Sequence, residues 1–155
     1  MDALSFLNGH VPLFSGLSEE ALKGLAINST LRQLTHGQTV IRAGMVVDSL
    51  YVIATGKVEV YAKIAGRGFV FIAELGPGEV FGEMAILEQT VASATLKAGP
   101  EGAFVLAIPE APFHRLLEDN RDFAVRVRAL VKARRRAPPP ATPPAKTPPP
   151  QTPPA

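Results

Sequence analysis

The chain has 155 residues, a formal net charge of +2 and no cysteine, which excludes disulfide frameworks and thiolate metal sites. No apolar run approaches the roughly 20 residues that span a bilayer. Residues 1–6 carry neither a basic n-region nor a long apolar h-region, so no signal peptide is expected and the cytoplasm is the expected location.

The charge is polarised. Residues 1–114 carry seven Lys/Arg against eleven Asp/Glu, whereas residues 115–136 carry eight against three. Basic character therefore belongs to one C-terminal segment, not to a whole nucleic-acid-binding surface. Residues 137–155 hold ten of the fifteen prolines, interleaved with Ala, Thr, Lys and Gln. Such a segment has no large apolar groups to offset its ordering entropy and is expected to be disordered. One domain over residues 1–136 remains, long enough for a single hydrophobic core.

In chain order, the first clear helix is signalled by Leu17-Ser18-Glu19-Glu20-Ala21-Leu22. Ser18 is the N-cap, acids occupy the first turn, and Leu17 and Leu22 are placed to form a hydrophobic staple. That helix should run to about residue 26. From 31 to 108 the period falls to two. Strands are expected at 31–34, 39–41, 49–55, 57–64, 69–75, 93–98 and 103–108, with glycines between many of them. Lys57-Val58-Glu59-Val60-Tyr61-Ala62-Lys63-Ile64 alternates polar and apolar at every step but Tyr61, as a strand with one buried face does. After Pro109 the helical period returns, with a short helix at 111–117 and a longer one at 120–136. The longer helix has an apolar stripe of Phe123, Val127, Leu130 and Val131. Arg134, Arg135 and Arg136 suit the negative end of its dipole, and Pro138 stops it. The expected fold class is mainly β with flanking α: an antiparallel jelly-roll (double-stranded β-helix) barrel with a short N-terminal helix and two C-terminal helices.

Between two of the strands lies Gly76-Pro77-Gly78-Glu79-Val80-Phe81-Gly82-Glu83-Met84-Ala85-Ile86-Leu87. It resembles the phosphate-binding cassette of the cyclic-nucleotide-binding domain family, which includes catabolite-activator-type regulators and the regulatory subunits of cyclic-AMP-dependent kinase. The run from Val11 to Ser18 resembles the family's entry into its first helix. The run from Gly37 to Gly44 resembles its second strand and turn, and the run from Asp48 to Val58 its central hairpin. The likeness covers about residues 11–136.

The cassette also makes sense residue by residue. Gly82 lets the backbone approach a ligand, and the amides of Met84 and Ala85, ahead of the first intrahelical bond, can receive phosphate oxygens. The resemblance gives Glu83 the role of accepting a ribose hydroxyl. The bland alternative is a strand-to-helix turn with an exposed acid.

The sequence also departs from the family. Where the cassette continues with a Pro-Arg pair, this chain has Val91 and Ala92. The missing arginine normally makes a charge-assisted, bidentate contact to the cyclic phosphate. Its loss should weaken binding roughly 10–200-fold. Ser93 can still donate to a phosphate oxygen, but it carries no charge, and Glu83 then repels an anion. Lys97, Arg126 and Arg128 are the candidates for a replacement cation.

The expected site residues are thus Gly82, Glu83, Met84, Ala85, Ala92 and Ser93, with cyclic AMP or cyclic GMP as ligand and no resident cofactor or metal. His10, His36 and His114 sit in no ligand or triad spacing, so no enzymatic activity is expected. No helix-turn-helix follows the long helix, so sequence-specific DNA binding of that kind is not expected, and the chain reads as a stand-alone module. Its apolar stripe packs on the barrel or forms a homodimer seam. Its basic face is a solvated surface or a site for an anionic membrane surface, RNA or an acidic protein partner. The proline-rich tail, expected in polyproline II conformation, is a solubilising tail or a docking ligand. The C-terminal helix and the tail are the candidate surfaces for an unidentified protein partner. Two functions are open: a regulatory module that senses a cyclic nucleotide and relays it through its C-terminal helices, or a degenerate domain that no longer binds nucleotide and serves as a protein–protein scaffold.

Overall fold

The computed structural model describes residues 2–136; the proline-rich stretch 137–155, expected to be disordered, lies outside the described residues. In chain order come α1 (Ala3–Gly9), a 3₁₀ turn (Pro12–Phe14), α2 (Glu19–Asn28), β1 (Thr30–Leu34), β2 (Thr39–Ile41), β3 (Ser49–Ile64), β4 (Gly68–Leu75), β5 (Val80–Phe81), α3 (Glu83–Glu88), β6 (Ala94–Pro109), α4 (Glu110–Asp119) and α5 (Arg121–Arg136). All named strand pairings are antiparallel, and the helices flank a jelly roll.

Strands β3 and β6, sixteen residues each, pair from Ser49↔Pro109 to Ala62↔Ala94 and form the axis of the fold. Each had read as two shorter strands. Register shifts at Ile53/Thr55 and Gly56/Val58 bend the pair in the middle, and the bend depends on glycine. Gly56 has φ +84°, and a Cβ there would lie 2.3 Å from the carbonyl oxygen of Gly102, closer than any side chain tolerates. One half of the pair is flanked by β5 and β1, the other by β4 and β2.

The N-terminus holds more helix than expected. Asp2 caps α1 by accepting from the Ser5 amide at 2.8 Å, and α1 packs against α2, burying Leu7. The expected cap at Ser18 is present, with its Oγ accepting from Ala21 at 3.1 Å. The stripe of α5 is buried within the single chain at Phe123, Val127 and Val131, with Leu130 half-buried. It packs against the 3₁₀ turn, α4 and α3 more than against strands. Phe123 sits between Phe14 and Phe113, at ring-centroid distances of 5.9 and 6.0 Å. A layer of helices thereby fixes where α5 ends.

The polar side of strand 57–64 is not simply wet. Glu59 is 3% exposed and Tyr61 1%. The Tyr61 hydroxyl donates to Glu59 Oε1 at 2.8 Å, Phe71 meets the Tyr61 ring edge-on, and Lys97 Nζ lies 4.8 Å from its centroid. Burial, together with the neighbouring Glu59 carboxylate, raises the Tyr61 phenol above its ordinary range. Val60, Ala62 and Ile64 are instead half-buried, and the first two line a cavity. No helix among the described residues is long and apolar enough to cross a membrane.

Candidate functional site

The cavity, about 570 Å³, lies over the β2–β4 half of the roll and is of a size that takes small organic ligands. Apolar side chains of the strands, including Ile41, Val60, Leu75 and Leu96, form its floor. Its rim consists of α3, the loop that returns to β6, and the last turns of α5.

The rim starts with a turn. Glu79 closes it by accepting from the Gly76 amide at 2.7 Å, and β5 then pairs with Tyr51 and Val52 of β3. Phe81 stacks on Tyr51 with centroids 4.9 Å apart. Gly82 follows with φ +93° and serves as N-cap of α3. A Cβ at Gly82 would lie 2.9 Å from the Ser49 carbonyl and 3.3 Å from Val47. Glycine is therefore required here for close approach to the start of β3, a packing reason beside the ligand-approach reason read from sequence. The first α3 bond runs from Ile86 to the Gly82 carbonyl, so the amides of Glu83, Met84 and Ala85 lie ahead of it.

Beyond α3, Gln89 turns left-handed, at φ 54°, and Thr90 donates to the Ala85 carbonyl at 3.0 Å. The loop is then pinned. Ala92 donates to the Met45 carbonyl at 2.9 Å, and its own carbonyl accepts from Gly44 at 2.8 Å. Gly82, Glu83, Met84, Ala85, Ala92 and Ser93 all line this one cavity. Ala92 presents a methyl group, 8% exposed, where the cassette pattern has a guanidinium.

The charges are not where the sequence reading placed them. Glu83 is 2% exposed, and Arg134 donates to its Oε1 from Nη1 at 2.7 Å. One turn away Arg135 pairs with Glu88. Arg134 and Arg135 both line the cavity. The three candidate replacement cations are engaged elsewhere or face water. Lys97 lies over Tyr61, Arg126 donates to the Leu13 carbonyl at 3.2 Å, and Arg128 is exposed and off the cavity. The helical layer carries α5 so that its final turn reaches the cavity. Of the residues read as complements of the helix dipole, Arg134 and Arg135 are cavity residues.

Against known proteins, a profile described as "Cyclic nucleotide-binding domain" matches residues 31–120, more than half of the chain. The chain belongs to that family. Among curated proteins, it is 34% identical over 128 residues to "Glutaminase 2" of Bradyrhizobium diazoefficiens, covering 82% of this chain and 20% of that protein. It is 31% identical over 108 residues to the "cAMP-dependent protein kinase regulatory subunit" of Blastocladiella emersonii, covering 70% of this chain and 27% of that one. Among solved structures, the Thermus thermophilus catabolite activator protein superimposes with a TM-score of 0.69 at 31% identity, over 81% of this chain and 58% of that chain. The chain thus spans a fifth to just over a quarter of the length of those two curated relatives.

Proposed function

We propose that this cyclic-nucleotide-binding domain is a regulatory module that takes cyclic AMP or cyclic GMP into the cavity and relays its occupancy through α5 to a protein partner. The observation that carries this reading is the Glu83–Arg134 pair at 2.7 Å. It joins α3, the cassette helix, to α5 at the cavity wall, so a ligand that touches Glu83 meets the pair that ties down the end of α5. Glu83 receives the ribose hydroxyl, Ser93 a phosphate oxygen, and the apolar floor carries the base. The chain's own chemistry here is binding and positioning.

A second reading is favoured by Ala92. A cassette with a methyl group at its phosphate-pairing position, and with its acid already paired, also suits a domain that has stopped binding nucleotide and serves as a protein–protein scaffold. Isothermal calorimetry with cyclic AMP and cyclic GMP separates the two. The sensor reading predicts micromolar binding that Glu83→Ala abolishes. Absence of heat and of any thermal shift at millimolar nucleotide contradicts it and leaves the scaffold.

A further inference from the structure

Among the described residues that line the cavity, the cationic side chains are Arg134 and Arg135 and the acidic ones Glu83 and Glu88. The two ion pairs differ in depth. Arg135 and Glu88 are 54% and 30% exposed in their side chains, so water screens them. Arg134 and Glu83 are 25% and 3% exposed, and charges there act through a lower dielectric. A guanidinium has five N–H donors in one plane. The bond to Glu83 engages Nη1 and holds the plane at the cavity wall, leaving other donors of the fork for a second acceptor. The rest of the wall offers an anion uncharged groups, the Ser93 hydroxyl and the amides at the start of α3, while Ala92 supplies a methyl group and Val60, Ala62 and Leu75 are apolar.

We propose that Arg134 is the anion-binding residue of this cavity, positioned by Glu83 and standing in for the arginine that Ala92 replaces. The ligand it selects is an anion with a flat, largely apolar body, its charge against the end of α5 and its body against the floor formed by β3 and β4. The identity of that anion as a cyclic phosphodiester rests on the reading given above; the role of Arg134 as a charge reader does not. Because this guanidinium sits on α5 rather than on the roll, the ligand's charge is held directly by the helix that carries the signal.

The test compares each anion with a neutral molecule of the same body: cyclic AMP with adenosine, and 1-anilinonaphthalene-8-sulfonate with the uncharged N-phenyl-1-naphthylamine. All four are titrated into the wild type, Arg134→Gln, Arg134→Lys and the exposed-site control Arg128→Gln, with native circular dichroism required of each. The wild type should prefer the anion by about 10-fold or more, the scale of a charge-assisted contact. Arg134→Gln should erase that preference while leaving the neutral ligands unchanged. Arg134→Lys should keep part of it, and Arg128→Gln all of it. Where Arg134→Gln does not fold, the double variant Glu83→Gln/Arg134→Gln removes both buried charges and should likewise show no preference.

A preference that survives the loss of Arg134, or a wild type with no preference in either pair, overturns the assignment. If the sulfonate dye shows an Arg134-dependent preference while cyclic AMP does not bind, Arg134 stands and the cyclic-nucleotide reading falls. If cyclic AMP binds in a Glu83-dependent way but is indifferent to Arg134, the reverse holds.

Discussion

Arg134, in the last turn of α5, donates to Glu83, the first residue of α3, at 2.7 Å, and the carboxylate it meets is almost entirely buried. Removing one partner of a buried pair costs more than the pair contributes, because the other charge is left behind. Arg134→Ala should therefore destabilise the domain by about 3 kcal/mol. Glu83→Gln should cost less, since the stranded guanidinium is a quarter exposed. The double variant Glu83→Gln/Arg134→Ala should recover part of the loss. Urea denaturation of the four proteins measures the coupling, and additive losses contradict the buried-pair description.

A second buried pair makes stability depend on alkaline pH. The Tyr61 phenol, hydrogen-bonded to Glu59, holds its proton more tightly folded than unfolded. Above the ordinary tyrosine range the folded state therefore carries more protons than the unfolded chain. The stabilisation is complete below pH about 10 and is lost as pH rises beyond it. Tyr61→Phe should destabilise by about 1–2 kcal/mol at neutral pH, because Glu59 loses its phenol donor. The gap between wild type and variant should narrow above pH about 10. A gap that stays constant or widens there contradicts the assignment.

How far these arrangements were legible in the sequence depends on how local their causes are. The Ser18 cap and the turn from Gly76 to Gly82 depend on neighbours in the chain, and they appear as read; the period-two stretches are strands, though not always with the expected face buried. Strands β3 and β6 read as two pieces each because Gly56 and Gly102 look like turn residues. In the fold, Gly56 instead lets one strand bend against another. Helix α1 was passed over because its cap, Asp2 to Ser5, closes only seven residues, too few for a helical period to show. Burial of Glu59 depends on Tyr61, Phe71 and Lys97 gathering on one face, which alternation along one strand cannot reveal. Arg134 was invisible as a site residue because helical periodicity gives the face of a side chain and not what the helix end meets. The available signal was the surplus of arginines at the end of α5 beside a cassette lacking one.

Ala92 tests whether the cavity keeps the shape of a phosphate site. Ala92 is held by backbone bonds to Gly44 and Met45, so an arginine there can project from an unmoved loop. Ala92→Arg should tighten cyclic nucleotide binding at least 10-fold, by the worth of one charge-assisted bidentate contact. Calorimetry reads the change directly. If the wild type binds as tightly as the variant, the absence of the cassette arginine carries no deficit and this account of Ala92 fails.

Coupling of the cavity to α5 is the centre of the account, and a chain without cysteine suits a direct measurement of it. Spin labels at Lys63→Cys on β3 and Lys132→Cys on α5, both exposed positions, report the distance from the roll to the end of the helix by double electron–electron resonance. Saturating cyclic AMP or cyclic GMP should shift or narrow that distance distribution, and Glu83→Ala should remove the response. Superimposable distributions with and without nucleotide, in a protein that calorimetry shows to be occupied, would contradict it.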